Sequence, residues 1–170
     1  MLGRFGRTGL TAAQQMLHLR HSEVFPGLGI LRGQGLTWRC EVRPSALGRK
    51  YRVRVTWAEG EPPEVFVDEP ELKLLAGGVK LPHVYEQRPA RLCLYLPGTG
   101  EFKQTDRLDL TILPWTELWL AYFEDWLARG CTDWQGGGEH PSETDSDPRA
   151  IRRACARLDR RAGPPRRERY

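Results

Sequence analysis

The chain has 170 residues, 39% of them hydrophobic and 28% charged, with a formal net charge of +4. That length suits one domain with room for a tail, and no apolar run nears the roughly 20 residues of a membrane-spanning helix. Nine arginines against Asp159 and Glu168 give residues 149–170 a charge of +7, leaving residues 1–148 at about −3, so a nucleic-acid role would have to rest on the tail alone.

Residues Met1–Gln15 contain Arg4 and Arg7 but no apolar core, which is not a secretory signal. The cysteines Cys40, Cys93, Cys131 and Cys155 are far apart and form no C-x-x-C pair. That is a poor zinc pattern and a poor disulfide framework, and it fits a reducing cytoplasm. Thr11 and Gln14 have capping-box spacing and predict a helix over Thr11–His21 with Ala13, Met16 and Leu17 as its apolar stripe. Pro26, Gly27, Gly29, Gly33 and Gly35 then break the chain. Strict alternation predicts strands over Leu36–Arg43 and Tyr51–Trp57 and a shorter one over Glu64–Asp68, which short turns join into an antiparallel meander. Arg39, Arg43, Arg52 and Arg54 share its wet face with Glu41, as a solvated surface or, alternatively, a dock for an acidic partner.

Leu108, Leu110 and Ile112 alternate in a run ending at Pro114. Thr116–Arg129 reads as a helix capped by Thr116 and closed by Gly130. Trp119, Tyr122, Phe123, Trp126 and Leu127 form its core face, and Glu124 and Asp125 lie opposite. Three glycines lie between Trp134 and His140. They suit a linker, but a linker needs no tryptophan, so a structured loop is expected. Residues 1–141 read as the domain and 142–170 as an acidic linker with an arginine-rich tail. Ser146-Asp147-Pro148 resembles a helix start there.

The segment Leu81–Pro97 carries the candidate chemistry. A lone cysteine in an apolar run is usually a small core hydrophobe. Cys93 differs in three ways: proline and glycine flank its segment, His83 and Tyr85 are near in sequence, and Arg88 and Arg91 could favour the thiolate. His83 and His140 are the candidate bases for a Cys/His pair. A metal site of His83, Cys93, Cys131 and His140 matches no short zinc spacing, and no metal or other cofactor is expected.

The order of elements is similar to the α+β ubiquitin-conjugating-enzyme fold: an N-terminal helix, a β-meander, a cysteine segment and a C-terminal helix. In that family a His-Pro-Asn tripeptide precedes the catalytic cysteine by ten residues. Here His83-Val84-Tyr85 holds that place before Leu92-Cys93-Leu94. The closest likeness is to the stand-alone bacterial branch found in cyclic-oligonucleotide-based antiphage signalling (CBASS) operons. The shared motifs are His83–Tyr85, Leu92–Tyr95, Ile112–Leu120 and Trp134–Pro141. The resemblance implies that Cys93 carries a partner's C-terminus as a thioester and passes it to an amine. It also implies a cGAS/DncV-like nucleotidyltransferase as partner, with lysine-bearing proteins as possible acceptors. His83, Tyr85 and His140 would support the cysteine. Tyr85 stands where the family has asparagine, and its O–H is a candidate oxyanion donor. An adenylating domain has no room beside this one, and no G-x-G-x-x-G fingerprint is present. The implied alternatives are an inactive scaffold that binds the nucleotidyltransferase and, from the tail, a nucleic-acid adaptor.

Overall fold

The computed structural model describes residues 9–137. A six-stranded antiparallel sheet is covered on one face by two helices. In chain order the elements are α1 (Ala12–Arg20), β1 (Gly27–Arg32), β2 (Gly35–Val42), β3 (Tyr51–Ala58), β4 (Glu64–Glu69), α2 (Leu72–Leu75), β5 (Val84–Gln87), β6 (Ala90–Leu92) and α3 (Ile112–Ala128). The strands lie in the order β1-β2-β3-β4-β6-β5. The expected α+β meander is present, extended by one strand before it and a hairpin after it.

Helix α1 starts on the expected capping box, with the Gln14 N–H donating to Thr11 Oγ1 at 3.2 Å and the Thr11 N–H to Gln14 Oε1 at 2.9 Å. Its buried face is Ala12, Gln15, Met16 and Leu19, and not the expected stripe of Ala13, Met16 and Leu17; Leu17 is 56% exposed. The cause is Gln15, a polar residue at the centre of the apolar face. Its amide donates to the Asp106 carbonyl at 2.7 Å and accepts from the Leu108 N–H at 3.0 Å. Both buried polar atoms are thereby satisfied, and α1 is tied to the entry of α3.

The glycine-broken stretch is strand β1, paired with β2 from Gly27↔Cys40 to Arg32↔Gly35. A Cβ at Gly27 would fall 2.3 Å from the Arg39 carbonyl oxygen, and one at Gly29 2.3 Å from Met16 Sδ. These glycines serve close packing, and Gly33, at φ +57°, makes the turn. Strands β2 to β4 alternate as expected. Trp38, Tyr51, Val53, Val55 and Val67 are among the buried residues. On the opposite face Arg39, Arg43 and Arg52 are exposed. Glu41 pairs there with Lys50 at 2.8 Å, and Arg54 with Asp68 at 2.9 Å. Ion pairs near the surface contribute little stability.

The run expected to be extended before Pro114 is a turn, and Ile112 opens α3. Pro114 sits in the first helical turn, where a missing N–H costs no hydrogen bond. Thr116 is therefore not the cap: it is buried in the helix, and its Oγ1 donates to the Ile112 carbonyl at 2.7 Å. Gly130 ends the helix at φ +72°, as expected. Trp119, Leu120, Phe123 and Trp126 face the core, and Phe123 meets the edge of Tyr51. Glu124 does not lie opposite the core. It accepts from the Tyr51 hydroxyl at 3.0 Å and the Arg49 N–H at 2.7 Å. No helix among the described residues is long and apolar enough to cross a membrane.

Candidate active site

Strand β6 pairs with β4 through Phe66↔Arg91 and Val67↔Ala90 and with β5 through Val84↔Leu92. It stops at Leu92, so Cys93 is the first residue beyond the ladder. Its amide is still held, donating to the His83 carbonyl at 3.0 Å. The same carbonyl accepts from Trp119 Nε1 at 3.1 Å. One backbone oxygen thus fixes the Pro-His segment to the cysteine and to α3. His83 has φ +48°, uncommon for a side-chain-bearing residue, and both hydrogen bonds hold it there. Its imidazole is 6% exposed and stacks on Trp134, with centroids 5.4 Å apart.

Cys93 is half-buried and lines a groove of about 540 Å³. Trp115, Trp119 and Tyr122 of α3 form one wall, Tyr95 and Leu96 another, and Trp134 with Gly136 and Gly137 the end. Tyr85 Oη lies 3.5 Å from the sulfur. In the thiol state the S–H donates to the phenol oxygen or to the Tyr95 carbonyl at 3.8 Å. Once the sulfur is a thiolate, the phenol becomes the donor. Burial, and then the hydrogen bond with Cys93, pushes the Tyr85 phenol well above its usual range, so it keeps its proton. Arg91 lies over the Tyr85 ring, 4.9 Å from its centroid.

The structure therefore brings Cys93, His83 and Tyr85 together, while His140 lies outside the described residues, as does the tail. The expected influence of Arg88 on the cysteine is corrected: its guanidinium binds Glu71. Cys40 is core, its thiol pushed up to about 12 by burial. Cys131 follows Gly130 at φ +62°, with its sulfur 3.9 Å from the Ala76 carbonyl. Among the described residues no three or more His, Cys, Asp or Glu side chains are placed to hold a metal ion.

Sequence reasoning gave Trp115, Tyr95 and Glu101 no role at the site, although Tyr95 and Trp115 lie within the shared motifs. Trp115 lies one helical turn before Trp119, a spacing that could have placed it on the same side. Glu101 also lines the groove and accepts from the Leu96 N–H at 3.0 Å and Thr99 Oγ1 at 3.2 Å; no sequence signal marks it. The α3 stripe expected to be core is divided, with Trp119 reaching both core and groove and Tyr122 lining the groove.

A family model described as "Type II CBASS E2 protein" matches residues 15–141, well over half of the chain. No curated protein matches.

Proposed function

The chain belongs to the Type II CBASS E2 family and so has a role in CBASS antiphage signalling, and on that premise we propose that Cys93 carries a partner protein's C-terminus as a thioester. The partner is a cGAS/DncV-like nucleotidyltransferase of the same system, and the final acceptor is a lysine amine. The observation supporting this reading is a partly buried cysteine that lines a groove, its sulfur 3.5 Å from a phenol that stays protonated.

The Cys93 thiolate attacks an activated acyl carbon. The carbonyl electron pair moves onto oxygen, and the Tyr85 O–H donates to that oxyanion. Collapse expels the activating group and leaves the thioester. An amine then attacks the same carbon, the thiolate leaves, and the amine proton passes to solvent. His83 shapes the segment through its carbonyl and its stacked ring. His140, outside the described residues, is the remaining supporting group that the resemblance implies.

The test is intact mass spectrometry, without reductant, of the protein co-expressed with the nucleotidyltransferase. A thiol-sensitive adduct is expected on the native protein and none on Cys93→Ala; an adduct that survives Cys93→Ala overturns the assignment. Tyr85→Phe should slow acyl transfer by about 10².

The tyrosine in place of the family's asparagine favours a second reading, an inactive scaffold for the nucleotidyltransferase. It predicts that Cys93→Ala leaves phage defence intact while charge reversal at Arg39 and Arg52 abolishes it.

A further inference from the structure

We propose that Arg91 is a positioning residue for the Cys93 chemistry, acting through Tyr85. The proposal rests on the transferase reading and adds a residue to it. Arg91 is 4% exposed, and burying a guanidinium requires compensation. Among the described residues, three groups contribute to it. Glu64 at the start of β4 binds one terminal nitrogen at 2.9 Å. Glu86 on β5 approaches Nε at 3.0 Å as a charge contact without hydrogen-bond alignment. The third is the face of the Tyr85 ring.

The geometry gives this arrangement a direction. Glu64 and Glu86 fix the guanidinium from two strands, the guanidinium fixes the plane of the ring, and the ring carries the hydroxyl that reaches the sulfur. A phenol follows its ring, so a few tenths of an ångström at the ring face are carried to the hydroxyl–sulfur distance. The two carboxylates also offset the positive charge of Arg91, so its effect on the sulfur passes chiefly through the placement of the phenol. The arginine, both glutamates and Tyr85 belong to the sheet, with Tyr85 at a register irregularity between the paired residues Val84 and Glu86, so the strands, and not the loop after Cys93, set this contact.

The test follows alkylation of Cys93 by iodoacetamide against pH, read at the Cys93 peptide by mass spectrometry. It needs no cargo, so its failure and a failure to find the thioester are separate results. His83, Tyr95 and Glu101 line the same groove and are retained in every variant. Tyr85→Phe should move the midpoint up by about half a pH unit or more, because a donor to the thiolate is lost. Arg91→Met should move it in the same direction, and Arg91→Lys, which keeps a cation over the ring, should retain most of the native profile. In the Tyr85→Phe background Arg91→Met should add nothing. A profile unchanged by Arg91→Met, or shifts that add in the double variant, overturns the proposal. If Arg91→Met does not fold, judged by its thermal transition, Glu64→Gln replaces it under the same criteria, since it loosens the anchor from a half-exposed position.

Discussion

The surroundings of the Cys93 sulfur come from five stretches of chain: the Pro-His segment, β5, the loop from Leu94 to Glu101, α3 and the residues after Gly130. Only the first three lie close to the cysteine in sequence. The ten-residue interval from His83 to Cys93, and the nearness of Tyr85, were therefore legible at once. Arg91 was singled out for its charge, yet its contact is with a ring, because the register Phe66↔Arg91 decides what it meets. Such a register is invisible without the fold. The His83 carbonyl gives a prediction at this scale. Trp119→Phe keeps most of the apolar surface but removes the 3.1 Å bond to that oxygen. It should cost about 1 kcal/mol in urea unfolding, a modest loss because the Cys93 amide still holds the same acceptor. A loss several times larger would mean that the indole does more than hold this carbonyl.

At the scale of elements, period-two and period-3.6 patterns placed β2, β3, β4, α1 and α3, while β1 escaped because its glycines look like chain breaks. They are the residues that let α1 and Trp38 close on the sheet. Gly27→Ala should therefore destabilise more than a generic surface glycine. Its Cβ would meet the backbone oxygen of Arg39, which cannot rotate away, at a cost of about 1–3 kcal/mol, measured as a shift of the urea midpoint. Gly29→Ala should cost less than Gly27→Ala, since part of its clash is with the flexible end of Met16. The start of α3 was misread for a related reason. Pro114 and the alternation of Leu108, Leu110 and Ile112 imitate a strand end, but proline is also at home in a first helical turn.

For the molecule as a whole, one core joins the inner sheet face to α1 and α3, and several weak acids in or near it are kept protonated. Burial raises the Cys40 thiol from 9.0 to about 12. Burial, then Glu124, raises the Tyr51 phenol above its usual 10.0, and burial does the same for Tyr85. The sign follows from linkage. The unfolded chain gives up these protons first, so the stability they carry is complete below about pH 9 and falls as pH rises toward the folded values. Between pH 9 and 12, Cys40 alone should remove about 1.4 kcal/mol per pH unit. Thermal melts of the native protein should decline from about pH 9, and Cys40→Ala should delay that onset to about pH 10, where the tyrosines begin to titrate. An onset unmoved by Cys40→Ala would mean that its thiol is not the first group to ionise. Composition gave no hint of this behaviour, since it depends on which face of β2 and β3 is covered.

Gly136 and Gly137 stand at the lip of the sulfur-bearing groove, behind the indole that stacks on His83. There is no room for a side chain at Gly136, where a Cβ would fall 2.6 Å from Trp134 Nε1, so even alanine there would shove the indole aside and reshape the doorway that arriving cargo must pass.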